Sequence, residues 1–207
     1  MVDVAFHDLV PNSVVIAAPI LLASALPLSH FLDAPKPPPA PKVEVAEVKE
    51  EKVAKTLCVG CTPKEQKAAD FFFERGVDDR FALATVLGNI KQESMFVSNI
   101  CEGGARIPYH QCHSGGYGLI QWTSSNRYYG LGQFARRIGK DPSAFDTQLG
   151  YLVTEPQWRR AEPVFKTDGL SVSRYMNAAY GWLGWGIHGN RTHYTMQYAQ
   201  KLVIIEA

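Results

Sequence analysis

The longest run of helical periodicity lies in RFALATVLGNIKQESMF, residues 80–96, where Leu83, Val86, Leu87 and Ile90 recur at the i, i+3, i+4, i+7 spacing of one helix face. Asp78 or Asp79 stands where an N-cap belongs. Ahead of it, KEQKAADFFFERG predicts a first helix closed by Gly76. Behind it the period breaks. Residues 103–122 carry five glycines and several β-formers around GGYGLIQW, which predicts a hairpin or an extended loop. Helical patterns return in LGQFARRIG, FDTQLGYLVTE, SVSRYMNAAYG and NRTHYTMQYAQKLV, the last with Met196, Ala199 and Val203 sharing a face. From Thr56 onward the chain therefore reads as a mainly α domain with a small β-hairpin and no internal repeat.

The N-terminal part follows other rules. Residues 14–32 form a nearly uncharged apolar tract, close to the ~20 residues that span a bilayer. The ionisable side chains before it are Asp3, His7 and Asp8, with no Lys or Arg, which suits a secretory leader poorly. Two readings remain. In one the tract is a membrane anchor whose C-terminal side stays with the cytoplasm, because positive charge begins only at Lys36. In the other it packs against further protein chains in an assembly, which Pro19 and Pro27 favour by weakening a spanning helix. DAPKPPPAPK, residues 33–42, then predicts an extended polyproline spacer. VEVAEVKEEKVAK continues it as a short exposed helix or solvated chain. The expected plan is an anchor or assembly segment over 1–32, a linker over 33–56 and a folded domain over 57–207.

Composition narrows the function classes. Of 207 residues 46% are hydrophobic and 20% charged, enough for a core. With 21 basic and 20 acidic side chains the net charge is +1, so no long-range field recruits nucleic acid, and no nucleic-acid partner is expected. Four cysteines allow several outcomes. Cys58 and Cys61 have the spacing of a zinc ligand pair that Cys101, Cys112, His110 or His113 could complete. A Cys101–Cys112 disulfide or four free thiols would serve equally well. A Cys-His peptidase drawing on Cys101 or Cys112 with His188 or His193 lacks a helix start to stabilise its thiolate. No cofactor and no catalytic metal are expected.

Glu93 carries the chemistry. It lies three residues from Ile90 and seven from Val86, at the edge of the apolar stripe. Burial there disfavours the charged carboxylate, and the negative end of the helix dipole adds to the effect. Both raise the pKa, giving a proton donor of the kind that glycosidic cleavage requires. The plain alternative is a glutamate paired with a nearby Arg or Lys. GGYGLIQW supplies what a sugar strand needs: Gly115, Gly116 and Gly118 for close backbone approach, Gln121 as donor and acceptor, Tyr117 and Trp122 as flat faces. Trp122 fits a core position better than a sugar platform.

LGNIKQESMF, then GGYGLIQWTSSNRYYGLGQFA and DTQLGYLVTE, resemble in order and spacing the phage tail lysozymes, within the goose-type lysozyme and lytic transglycosylase superfamily. The resemblance covers roughly residues 65–203. It implies a lysozyme-like fold, peptidoglycan as substrate, Glu93 as the acid and Gly118 and Gln121 in the substrate groove. Tyr180, in NAAYGWLGWG, is similar to the tyrosine that faces the glutamate in lytic transglycosylases. GWLGWGIHGNR has no acidic residue where relatives often carry one, so Glu102 becomes the candidate for any second catalytic carboxylate. Glu155 reads as a structural helix-end residue. By the same resemblance the expected setting is a phage virion, with residues 1–32 attaching to tail or ejection proteins or touching a membrane.

Overall fold

A computed structural model describes residues 54–113 and 115–205. The apolar tract, the proline-rich spacer and the anchor or assembly role expected of them lie outside the described residues. Among those described, no helix is long and apolar enough to cross a membrane.

Seven α-helices and one two-stranded sheet make up the described part, in the order β1 (Lys55–Cys58), α1 (Pro63–Phe73), α2 (Arg80–Ser94), α3 (Ser125–Arg137), α4 (Phe145–Leu152), α5 (Pro156–Phe165), α6 (Val172–Leu183), α7 (Arg191–Lys201) and β2 (Leu202–Ile205). The mainly helical fold with a small β element is the expected one. Its strands lie elsewhere than expected. β1 and β2 pair antiparallel, Lys55 opposite Ile205 and Cys58 opposite Leu202, and so join the two ends of the folded unit. In the glycine-rich stretch the β pairing amounts to two isolated bridges, Ile100 with Arg106 and Cys101 with Tyr117.

Local signals account for the helix starts. Thr62 and Glu65 form a reciprocal capping box around Pro63 at the head of α1. Asp79 caps α2, its Oδ1 accepting from the N–H groups of Phe81 at 2.8 Å and Ala82 at 2.9 Å. α5 was not among the predicted helices. Pro163 sits inside it, yet Trp158, Ala161 and Phe165 keep one buried face at i, i+3, i+7.

α2 is the central element, buried from Ala82 to Ile90 without interruption. A helix covered all round must accept neighbours at close range. α7 runs antiparallel to it, with Arg191 beside Asn89 and Glu93, and Thr195 beside Gly88. A Cβ on Gly88 would lie 2.6 Å from the Thr195 backbone nitrogen and 2.9 Å from its Cα, so this crossing excludes any side chain. The inward face of α7 is Arg191, Thr195, Tyr198 and Ala199, continued by Leu202. Of the face expected from sequence only Ala199 belongs to it. Met196 is 42% exposed and Val203, already in β2, 45%. The displaced face reflects polar side chains on the buried side, which apolar counting overlooks.

One of those polar contacts is Glu65. Its carboxylate takes hydrogen bonds from the Tyr198 hydroxyl, the Thr62 N–H and Lys91. Burial alone would push its pKa up, but these three donors outweigh burial and hold it at about 2.

All four cysteines are oxidised, as Cys58–Cys61 and Cys101–Cys112. This removes the zinc-pair, free-thiol and Cys-His peptidase readings, since a disulfide sulfur is neither a thiolate nucleophile nor a metal ligand. The second bridge pins the glycine-rich stretch.

Gly88→Ala should lower stability by about 1–3 kcal/mol, because the added methyl forces α2 and α7 apart. For a domain of this size that is a fall in Tm of roughly 2–12 °C. Calorimetry of both forms checks it; an unchanged or raised Tm would mean that the crossing tolerates a side chain.

Candidate active site

Glu93 lies in the last turn of α2, and the chain turns sharply behind it. Met95 and Phe96 take left-handed φ values of 52° and 62°, which returns Phe96 to the core against Tyr198. Ser94, the next residue after Glu93, is buried and donates to the Leu119 carbonyl at 2.9 Å. Adjacent side chains thus split two tasks. Ser94 ties α2 to the glycine-rich stretch, and Glu93 is left on the open side of the helix.

That side is a groove of about 850 Å³. One part of its lining runs from Ile120 through Gln121 to Arg127, another from Gly181 to Ile187, and Glu93, Gln157 and Arg191 complete it. Among the described lining residues Glu93 is the one carboxylate. Its side chain is 15% exposed, and that of Arg191 is 5% exposed.

Arg191 was not identified from sequence. Its Nη2 donates to Glu93 Oε1 at 2.7 Å, its Nη1 to Asn89 Oδ1 at 3.3 Å, and the guanidinium lies 4.3 Å from the centre of the Trp185 ring. The available signal was its register, four residues before Thr195 and seven before Tyr198 on the buried face of α7. The plain alternative for Glu93, pairing with a basic residue, is therefore real, and the groove is real beside it. Burial raises the Glu93 pKa, the charge and hydrogen bond of Arg191 and the charge of Arg127 lower it, and the net position stays above the ordinary carboxylate value. Arg191 is shifted down, by burial first.

Arg127 is held at its distance by Glu155, which receives its Nε at 2.8 Å and Nη2 at 2.9 Å, together with Trp122 Nε1 at 3.0 Å. Glu155 is buried at the N-cap of α5, and Trp122 is fully buried, the structural roles expected of both.

The remaining expected site residues divide. Gln121 lines the groove, with φ 51° and its Nε2 donating to the Gly118 carbonyl at 3.0 Å. Tyr117 and Gly118, expected at the sugar surface, lie beneath it. Tyr117 is fully buried and its hydroxyl donates to Ser143 Oγ at 2.8 Å. Gly118 makes room for Gln148, whose Oε1 would be 2.4 Å from a Cβ there. Gln148 is itself fully buried, accepting from Leu119 N–H and donating to the Ser98 and Pro142 carbonyls. The glycines thus serve internal packing: Gly115 and Gly116 would meet Glu102 and Gln121 in the same way. Glu102 is exposed and its Oε2 accepts from the Gly116 N–H at 2.9 Å, so it buttresses the loop and does not line the Glu93 groove. Tyr180 is 56% exposed and borders a different, more apolar groove with Met176, His188 and Met196. Trp185 lines both grooves.

A glutamate ending the central helix, set at a groove beside a glycine-rich Gln-Trp segment in a mainly helical domain, is the arrangement of a lysozyme-like protein. Over residues 63–201 the sequence matches the phage tail lysozyme family, and the chain belongs to that family. No curated protein matches the sequence.

The balance of burial against Arg191 can be read directly. A carbon-detected NMR titration should place the Glu93 carboxyl above the ordinary glutamate value. Arg191→Gln should move it up further, because a lowering charge and hydrogen bond are removed while burial remains. A downward move would show that Arg191 does not hold the carboxyl down, and a wild-type position at or below the ordinary value would show that burial does not dominate.

Proposed function

We propose that this domain cleaves the glycan strand of peptidoglycan with Glu93 as proton donor. What carries the reading is the raised pKa of a carboxyl lining a groove that can take a polymer. Burial keeps the proton on Glu93 until the glycosidic oxygen accepts it and the C1–O bond breaks. Arg191, already at 2.7 Å, then stabilises the carboxylate that is left. An inverting hydrolase needs a second carboxylate ~6.5–9.5 Å away to activate water. Glu102 and Glu155 are both engaged elsewhere, so the second step falls to the sugar's own hydroxyl or acetamido group, or to water that returns its proton to Glu93.

The observation favouring a second reading is the same ion pair. A tail protein that retains the lysozyme fold without turnover would show Glu93 locked to Arg191. Glu93→Gln keeps an acceptor for Arg191 but cannot donate the proton. It should abolish clearing in a peptidoglycan zymogram while Tm stays within a few degrees. Equal clearing by both forms, or none by either, would sink the catalytic assignment. Mass spectrometry of the products then separates the two second steps, because a 1,6-anhydro end marks intramolecular attack and a reducing end marks water.

For the whole chain we infer a virion enzyme that digests the wall locally during genome delivery, with residues 1–32 attaching it to tail or ejection proteins or to a membrane. Under this plan residues 57–207 are the catalytic domain and residues 33–56 the linker. Deleting residues 1–42 should leave soluble lytic activity and remove the protein from purified particles. Retention in particles would assign the attachment to the folded domain.

A further inference from the structure

The Glu93 groove continues past Thr123. That residue also lines a second groove, of about 930 Å³, so the two meet there. The second groove differs in charge. His110, His113, Arg136 and Lys140 line it together with the exposed Tyr129, and no Asp or Glu is among its described lining residues. Arg136 and Lys140 are exposed, and neither forms an ion pair with a described residue. Favourable placement of cations at a helix C-terminus accounts for Arg136 in the last turn of α3, but not for Lys140 beyond the helix on the same groove.

The wall is preformed. Tyr109 stacks on Tyr128 at 4.3 Å and donates to its carbonyl at 2.8 Å, while the Tyr128 hydroxyl donates to the carbonyl of disulfide-bonded Cys112 at 3.0 Å. Gly132 permits this closeness, since a Cβ there would be 2.6 Å from the Tyr109 hydroxyl oxygen. Rigid walls with unpaired cations are suited to an anionic ligand.

The ring hydroxyls and acetamido groups of a glycan are neutral and give no reason for a cationic extension. The peptide stems that branch from a peptidoglycan strand end in free carboxylates. Resting on the glycan-cleaving reading, we propose that the second groove binds the peptide stem, with Arg136 and Lys140 meeting its carboxylates while the sugar chain occupies the Glu93 groove. The domain then selects stem-bearing strands over bare ones.

The test compares wild type with Arg136→Ala/Lys140→Ala on two substrates: sacculi freed of teichoic acid, and glycan strands stripped of their stems by an amidase. Two exposed ion pairs lost together should raise KM on stem-bearing material roughly tenfold. On stripped strands KM should change less than about twofold, and the difference should vanish at high salt. Stripped strands keep only the lactyl carboxylate on the sugar, so equal weakening on both substrates would assign these cations to the sugar and overturn the proposal. No weakening on either would overturn it too. Sedimentation binding of the same two materials to Glu93→Gln gives a readout without turnover. Preferential binding of stem-bearing material by Glu93→Gln, alongside a wild type that never cleaves, would uphold the stem site and defeat the catalytic reading. Cleavage without any stem preference would do the reverse.

Discussion

The constraint on which the rest depends is the approach of Gly88 to the backbone of Thr195, the tightest approach to another backbone at any described glycine. Because no side chain intervenes, α7 approaches α2 near its C-terminal half, and the next turn of each helix then brings Arg191 against Asn89 and Glu93. A larger residue at 88 would meet the Thr195 backbone at 2.6–2.9 Å and force the helices apart at this point. The ion pair is thus a consequence of backbone packing one turn away. The same crossing seats Tyr198 on Glu65 and Phe96, which closes the opposite part of the α1, α2 and α7 contact.

What the crossing creates is a carboxyl under opposed influences. Water is largely excluded, which favours the neutral acid; Arg191 and the more distant Arg127 favour the anion. Glu65 shows the other result of such a contest in the same protein, where three donors leave a buried carboxylate fully ionised. Glu93 has one hydrogen-bonded donor and a groove. Both the number of donors and the depth of burial separate the two: three hydrogen bonds hold Glu65 ionised, while deeper burial against a single donor raises Glu93.

The glycine-rich stretch works as a fitted part against this helix end. Ser94, Gln148 and the Cys101–Cys112 bridge hold it from three sides, and the glycines provide clearance for Gln148, Gln121 and Glu102. Backbone strain is concentrated at Gln121, a non-glycine residue at positive φ that stands at the groove. Positive φ at a residue lining the groove is consistent with the rest of the segment being fixed to present that one side chain.

The helices α1 and α2, the Asp79 cap and the edge position of Glu93 were legible in the sequence, because they depend on neighbours three and four residues apart; the Thr62–Glu65 capping box of α1 was not read from it. The family resemblance was legible for a similar reason: it rests on ordered local motifs. Tertiary structure alone decided the rest. Pairing of β1 with β2 joins residues about 150 apart along the chain, and no local pattern encodes it. Arg191, 98 residues from Glu93, is placed by a helix crossing. Gly118 lies inward against Gln148 of α4, and Tyr117 against Ser143, Tyr109 and Tyr128, all distant in sequence. Periodicity reports which side of an element is buried; what it is buried against, and hence which carboxyl has its pKa raised and which lowered, is set by contacts between distant segments.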